Sequence, residues 1–231
     1  MDKWLFLSLL MAHIIGDFYL QSDKYCQQKE KEKTKSWFLY IHSLIIGALS
    51  FLFVGTCALW LYALIITISH LLIDIIKVYC FPKGLWPFVA DQLVHVAILA
   101  IVSFHFHHKN KLPIETLDQS CTYSISLLIL AVLLCMKPTN ILIKLILKRF
   151  EFEENAIPKE MKNAGALIGG LERILTIIFV LVGQYGGIGF IITAKSLLRF
   201  KDTDTAKTEY VLAGTFLSFV IGMICGLMTK L

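Results

Sequence analysis

Seven ionisable side chains interrupt the first four apolar stretches of the chain: His13 and Asp17, His42, His70 and Asp74, and Asp91 and His95. Ionisable groups are expensive in hydrocarbon and mark functional sites there. Three of the stretches carry His and Asp at an i, i+4 spacing, twice as H-x-x-x-D and once reversed as D-x-x-x-H. That spacing puts both side chains of a pair on one helix face. Neutral imidazole and carboxylate together suit zinc, manganese or iron, and seven donors suffice for one or two such divalent ions. Zinc is the first expectation. A bound ion lowers the pKa of a water and polarises a phosphoryl or acyl group, and Asp17 or Asp91 is then the carboxylate expected to act as general base.

The elements that must position these residues are membrane helices. Hydrophobic residues make up 57% of the 231 positions, charged residues only 17%, and the mean hydropathy is +0.71, outside the range of soluble globular chains. About 17 to 25 apolar residues span the hydrocarbon, which places helices near 3–22, 36–54, 57–77, 87–105, 121–136, 164–183 and 208–229. Met1–Ala12 has a charged start, but no small-x-small cleavage site follows and the run continues, so it reads as the first membrane helix. A shorter run at 187–200 follows Gly183, Gly186, Gly187 and Gly189, as an eighth tightly packed span or a re-entrant segment. The expectation is an all-α, polytopic membrane bundle of seven or eight helices in the cell (inner) membrane.

Counting the short run as a span with the N-terminus outside, sixteen of the 22 lysines and arginines fall on the cytoplasmic side, as the positive-inside rule requires. Both termini are then outside. The net charge of +5 reflects membrane orientation and not a nucleic-acid partner. With the segments 23–35 and 78–86 cytoplasmic, all seven ionisable residues lie in one layer roughly 5 to 13 Å deep at 1.5 Å per residue. The reversal of the third motif follows, because a helix running the opposite way must present D-x-x-x-H to match its neighbours in depth. The competing reading is of buried polar pairs that fix helix register, each His bonded to its own Asp. Gln21 and Gln92 lie near the layer as hydrogen-bond partners.

The chain divides on this reading into a metal-binding four-helix half (1–110), a region with the fifth helix, an amphipathic interfacial helix and a polar linker (121–163), and a C-terminal membrane half (164–231). The interfacial helix follows Pro138, with Lys137, Asn140, Lys144 and Lys148 opposite Ile141, Leu142, Leu145 and Ile146. Glu172, Arg173 and Lys195 fall at the depth of the first-half layer. They either pair with one another or, through Arg173 and Lys195, bind an anionic headgroup. His105, His107 and His108 read as a solvated loop at the outer end of the fourth helix. The six cysteines are scattered, with no spacing that suggests disulfides or a thiolate metal site.

The segments HIIGDFYLQS (13–22), IHSLIIG (41–47), SHLLIDIIK (69–77) and DQLVHV (91–96) resemble the bacterial membrane family known as domain of unknown function 3307, and the later GALIGGLERIL, GFIITAKSLLRFKD and EYVLAGTFLS resemble the extension of its longer members. The resemblance supports the motif and implies no reaction. The residues themselves favour a metal-dependent hydrolase acting near the cytoplasmic leaflet on a lipid-like, phosphate-bearing substrate, with membrane lipid as its surroundings. The rivals are a divalent-cation transporter, a di-iron lipid oxidase and a bundle in which the metal is a structural or regulatory staple. Three Asp among seven donors count against the oxidase. The almost wholly apolar outer halves of helices two, three and four count against a conduction path.

Overall fold

The computed structural model describes residues 3–81, 83–110, 119–149, 159–199 and 205–230, and among them all regular structure is helical. Of the polar segment 151–163, expected as a linker, 151–158 lie outside the described residues, and 159–163 are instead the first residues of a helix. The chain separates into two compact units, Met1–Tyr123 and Ser124–Leu231. The expected fifth helix (121–136) and the interfacial helix after it therefore fall largely in the second unit.

In the first unit, α1 (Lys3–Ile14) passes into a π-helical turn, Ile15–Tyr19. Almost every side chain of α1 from Leu5 onward is buried, as expected of a helix that is apolar all round. The segment expected as a loop after it is instead a polar helix, α2 (Asp23–Glu32), bent by 83° from the preceding helix. Its composition explains this: good helix formers throughout, Asp23 in the first turn and Lys29 and Lys31 in the last, where the helix dipole favours them, and a Gln28–Glu32 hydrogen bond of 2.9 Å across one turn. It ends at Lys33, which takes the left-handed φ of 53° without being glycine.

Three long helices complete the unit: α3 (Trp37–Val54), α4 (Trp60–Cys80) and α5 (Leu85–Asn110). Gly55 closes α3 with φ 67° and its N–H on the Phe51 carbonyl. The buried face of α3 carries Leu39, His42, Ser43, Ile46 and Ser50, and that of α4 carries Tyr62, Ala63, Ile66, His70 and Asp74. On each helix, therefore, the ionisable residues continue the apolar stripe toward one end. Leu5, Leu9, Ile46, Leu59, Ile66 and Leu99 belong to the apolar core at the other end. Gly47 allows α3 and α4 to approach, since a Cβ there would collide with Thr67 Oγ1 and lie 3.1 Å from the Ala63 carbonyl. Helix α5 runs five residues beyond its expected end, so His105, His107 and His108 are exposed helical residues and not a loop.

The second unit holds most of α6 (Gln119–Cys135), then α7 (Lys137–Arg149), α8 (Lys159–Leu181), α9 (Tyr185–Arg199) and α10 (Thr205–Met228). The helix expected to lie on the inner leaflet, α7, follows α6 after Met136 alone, and 122–149 forms one apolar stretch of 28 residues. Gly222 and Gly226 lie against Thr176 and Val180, which sets α10 close on α8. By length and hydropathy, six helices among the described residues are able to cross a membrane, and seven if the bent pair Lys3–Tyr19 and Asp23–Lys35 is one span. The α9 helix, at 15 residues about 22 Å long, is not among them.

Candidate metal centre

Helix α1 with its π-helical turn, α3, α4 and α5 bring all seven His and Asp residues into one cluster, buried except for the partly exposed Asp17. The i, i+4 pairs are not its main contacts. Within pairs, His13 Nε2 is 3.8 Å from Asp17 Oδ2, His70 Nε2 is 3.9 Å from Asp74 Oδ2 and His95 Nδ1 is 3.6 Å from Asp91 Oδ1, all too long for hydrogen bonds. The short contacts run between helices. Asp17 Oδ1 lies 3.0 Å from His42 Nε2 and 3.4 Å from His70 Nε2, and the two imidazole nitrogens are 3.1 Å apart. The register-fixing arrangement, each His side chain on its own Asp carboxylate, is therefore not formed in these three pairs, although His95 Nδ1 lies 2.9 Å from the Asp91 backbone carbonyl.

Asp17 reaches this position from the π-helical turn, a distortion that changes the direction of a side chain and recurs at functional sites. Gly16 permits it, because a Cβ there would collide with Ile46 Cδ1. The other Asp17 oxygen accepts from Gln92 Nε2 at 3.2 Å, and the same amide nitrogen is 3.2 Å from Asp91 Oδ2. Gln92 thus joins the cluster as expected. Gln21 instead donates to Cys26 Sγ.

Three possible ligand atoms lie 3.0, 3.1 and 3.4 Å from one another; bonds of about 2.0 to 2.2 Å to a tetrahedral ion separate ligand atoms by about 3.3 to 3.6 Å, so two of the edges would open by a few tenths of an ångström around an ion. Proton bookkeeping points the same way. A neutral imidazole nitrogen carries one proton or one lone pair, so His42 Nε2 cannot donate to Asp17 and also accept from His70. Without an ion, a single proton must serve both contacts as a three-centre bond, whereas a shared ion would take all three lone pairs at once. Around this triangle, His13 Nε2, His42 Nδ1, His95 Nε2 and Asp91 Oδ1 are buried with no hydrogen-bond partner, although buried polar atoms ordinarily have one. His13, His70 and His95 also line, with Ser69 and four apolar side chains, a cavity of about 10 Å³ beside the triangle.

Two further residues belong to the site. Lys29, on α2, donates from Nζ to Asp74 Oδ2 at 2.7 Å and is itself buried, and Lys77, on α4, donates to Asp91 Oδ2 at 2.6 Å. From the sequence alone both are cytoplasmic lysines of the positive-inside pattern. Lys77 carried a signal, three residues from Asp74 on the same helix face; Lys29 carried none, since its partner is 45 residues away.

Arg173 and Lys195 sit within the second unit, each with partners of its own. Arg173 is buried and donates from Nε to the Cys135 carbonyl, from NH1 to Ser218 Oγ at 2.8 Å and from NH2 to Asn140 Oδ1 at 2.6 Å. Lys195 Nζ holds both Glu172 oxygens, at 2.6 and 2.9 Å. The mutual pairing considered for Glu172 and Lys195 is thus formed, and each of these Arg173 nitrogens has an acceptor without any ligand.

A family model described as "Protein of unknown function (DUF3307)" matches residues 5–120. The chain belongs to that family. The matched region covers the four helices of the His/Asp cluster and the polar α2, so the shared part of this DUF3307 member is the part that holds the site. No curated protein and no solved structure matches the chain.

Proposed function

We propose that Asp17, His42 and His70 hold a divalent ion, zinc first, and that this DUF3307 member is a membrane-embedded, metal-dependent hydrolase acting on a lipid-like, phosphate-bearing substrate near the cytoplasmic leaflet. The observation that carries the proposal is the triangle of Asp17 Oδ1, His42 Nε2 and His70 Nε2 with all edges between 3.0 and 3.4 Å. Three protein ligands leave a fourth position open, as in catalytic and not structural zinc sites. In that position the ion, when bound, supplies a more acidic water and a Lewis-acid contact to a phosphoryl or acyl oxygen.

The chain's own groups have distinct tasks in this reading. Asp91 Oδ1 is unpartnered and buried and takes the proton from water, while Lys77 and Gln92 hold its other oxygen and so fix the carboxylate. Asp17, the other candidate base, is committed by Oδ1 to the ion and by Oδ2 to Gln92. Lys77, with a side chain 42% exposed, puts a positive charge at the polar end of the cluster, which suits an anionic headgroup. In the membrane, α1 with its π-helical turn and the short α9 bring the crossings to eight, with both termini outside and with α2 and the lysine-bearing end of α4 on the cytoplasmic side.

A transport path is disfavoured by the apolar core of Leu5, Leu9, Ile46, Leu59, Ile66 and Leu99, which fills the bundle on one side of the cluster. The test is metal content and turnover of the protein in nanodiscs, with fatty-acid and phosphate release from anionic phospholipid vesicles as readouts. Asp91→Asn should keep the ion and lose turnover. Absence of bound metal in the wild type refutes the centre. Bound metal with ion flux into proteoliposomes and no hydrolysis replaces the hydrolase by a transporter.

A further inference from the structure

The two lysines of the cluster hold carboxylates that are themselves arranged as a cation site. Asp74, Asp91 and His95 offer one ligand atom each within 4.8 Å of one another, and all three are buried. Two atoms in this group, Asp91 Oδ1 and His95 Nε2, are buried without a hydrogen-bond partner, and the imidazole nitrogen points to a cation independently of the acidic pair. What neutralises the carboxylates in this structure is Lys29 Nζ on Asp74 and Lys77 Nζ on Asp91.

Lys29 reaches Asp74 only because α2 folds back over the first unit. The Tyr25 ring of α2 stacks on Phe38 at 4.2 Å between centroids, Glu30 pairs with Lys83, and Lys33 lies 4.6 Å from the Tyr79 ring centre. Apart from the buried Lys29 and the half-buried Tyr25 face, these are exposed contacts of the kind worth little individually. The buried end of the strap is the Lys29–Asp74 pair.

We infer that Asp74, Asp91 and His95 form a second divalent-cation site, guarded by Lys29 and Lys77 as tethered ammonium groups, so that loading a second ion and lifting α2 are one event. The inference rests on the metal centre proposed above and deepens it. An ion taking Asp74 expels Lys29, because a divalent ion and the ammonium would then share one buried carboxylate and like charges repel strongly at that distance. Without its anchor, α2 loses the contact that seats it. The lysines thereby keep the centre mononuclear at modest ion concentrations and leave Asp91 Oδ1 free as a proton acceptor; a second ion takes that oxygen and inhibits.

The experiment titrates manganese(II), a hard ion that leaves thiols unprotected, into nanodisc-embedded wild type, Lys29→Met and Lys29→Arg. It follows bound ions per chain and the maleimide labelling of Cys26 on α2, with exposed Cys80 as internal reference. The wild type should bind a first ion tightly and a second weakly, and Cys26 labelling should accelerate with the second. Lys29→Met should bind the second ion about ten- to a hundredfold more tightly, the fold-change of a charge-assisted hydrogen bond that no longer competes, and should label fast from the start. Lys29→Arg should behave like the wild type. A wild type whose Cys26 labelling ignores the second ion overturns the inference even if Lys29→Met does not fold. So does equal second-ion affinity in all three proteins, or a single ion at every concentration, and in these cases the first site stands. Loss of all binding in every protein overturns the metal centre as well.

Discussion

Replacing Asp17 with Asn keeps shape and volume but removes one negative charge and one strong ligand oxygen from the centre of the cluster. Its carboxylate lies 3.0 Å from His42, 3.4 Å from His70 and 3.2 Å from Gln92, so no other single side chain in the site joins as many partners. Losing an outer-shell partner of a metal typically costs 10- to 100-fold in affinity, and a direct ligand should cost at least the upper end, about a hundredfold. At an ion concentration about 100 times the wild-type Kd, binding stabilises the folded chain by about 2.7 kcal/mol; a hundredfold weaker site at the same concentration leaves about 0.4 kcal/mol. The assay is thermal unfolding in detergent with zinc and with chelator, alongside the zinc content of the purified protein. The wild type should show a midpoint difference of several degrees between the two conditions, and Asp17→Asn should lose most of it. A variant that retains its zinc and the full midpoint difference would refute the assignment of Asp17 as ligand. A wild type with no difference at all would refute the centre.

Three further outcomes follow from the packing. Gly47→Ala should lower stability by about 1–3 kcal/mol, the usual cost of overpacking, and weaken metal binding, because α3 and α4 must part where His42 and His70 meet; adding Thr67→Ala should restore part of both, and an unchanged melting midpoint would count against the close approach. Arg173→Lys should destabilise by about 3 kcal/mol, since one ammonium cannot serve the Cys135 carbonyl, Ser218 and Asn140 together, while metal content stays at the wild-type level; lost metal would show that Arg173 acts on the first unit. Cys57 and Cys80 are exposed at opposite ends of the 57–80 span, so a membrane-impermeant thiol reagent added to intact cells should label Cys57 and spare Cys80. The reverse pattern would invert the topology.

The sequence alone determined that the chain is helical and apolar enough to cross a membrane, and which seven side chains do not belong in such helices. Both follow from local rules: span length, and the cost of an ionisable group in hydrocarbon. It also carried the reversed third motif, because helix direction converts spacing into depth. Only the tertiary structure decided who touches whom. The i, i+4 spacing put His and Asp on shared faces, but crossing geometry set by Gly16 and Gly47 brought Asp17, His42 and His70, from three helices, closer than any of the pairs. Periodicity is blind to a π turn that redirects Asp17 and to a polar helix that folds back. Lys29 therefore looked like one more cytoplasmic lysine until α2 delivered it to Asp74, since a contact across 45 residues is fixed by packing and leaves no local pattern.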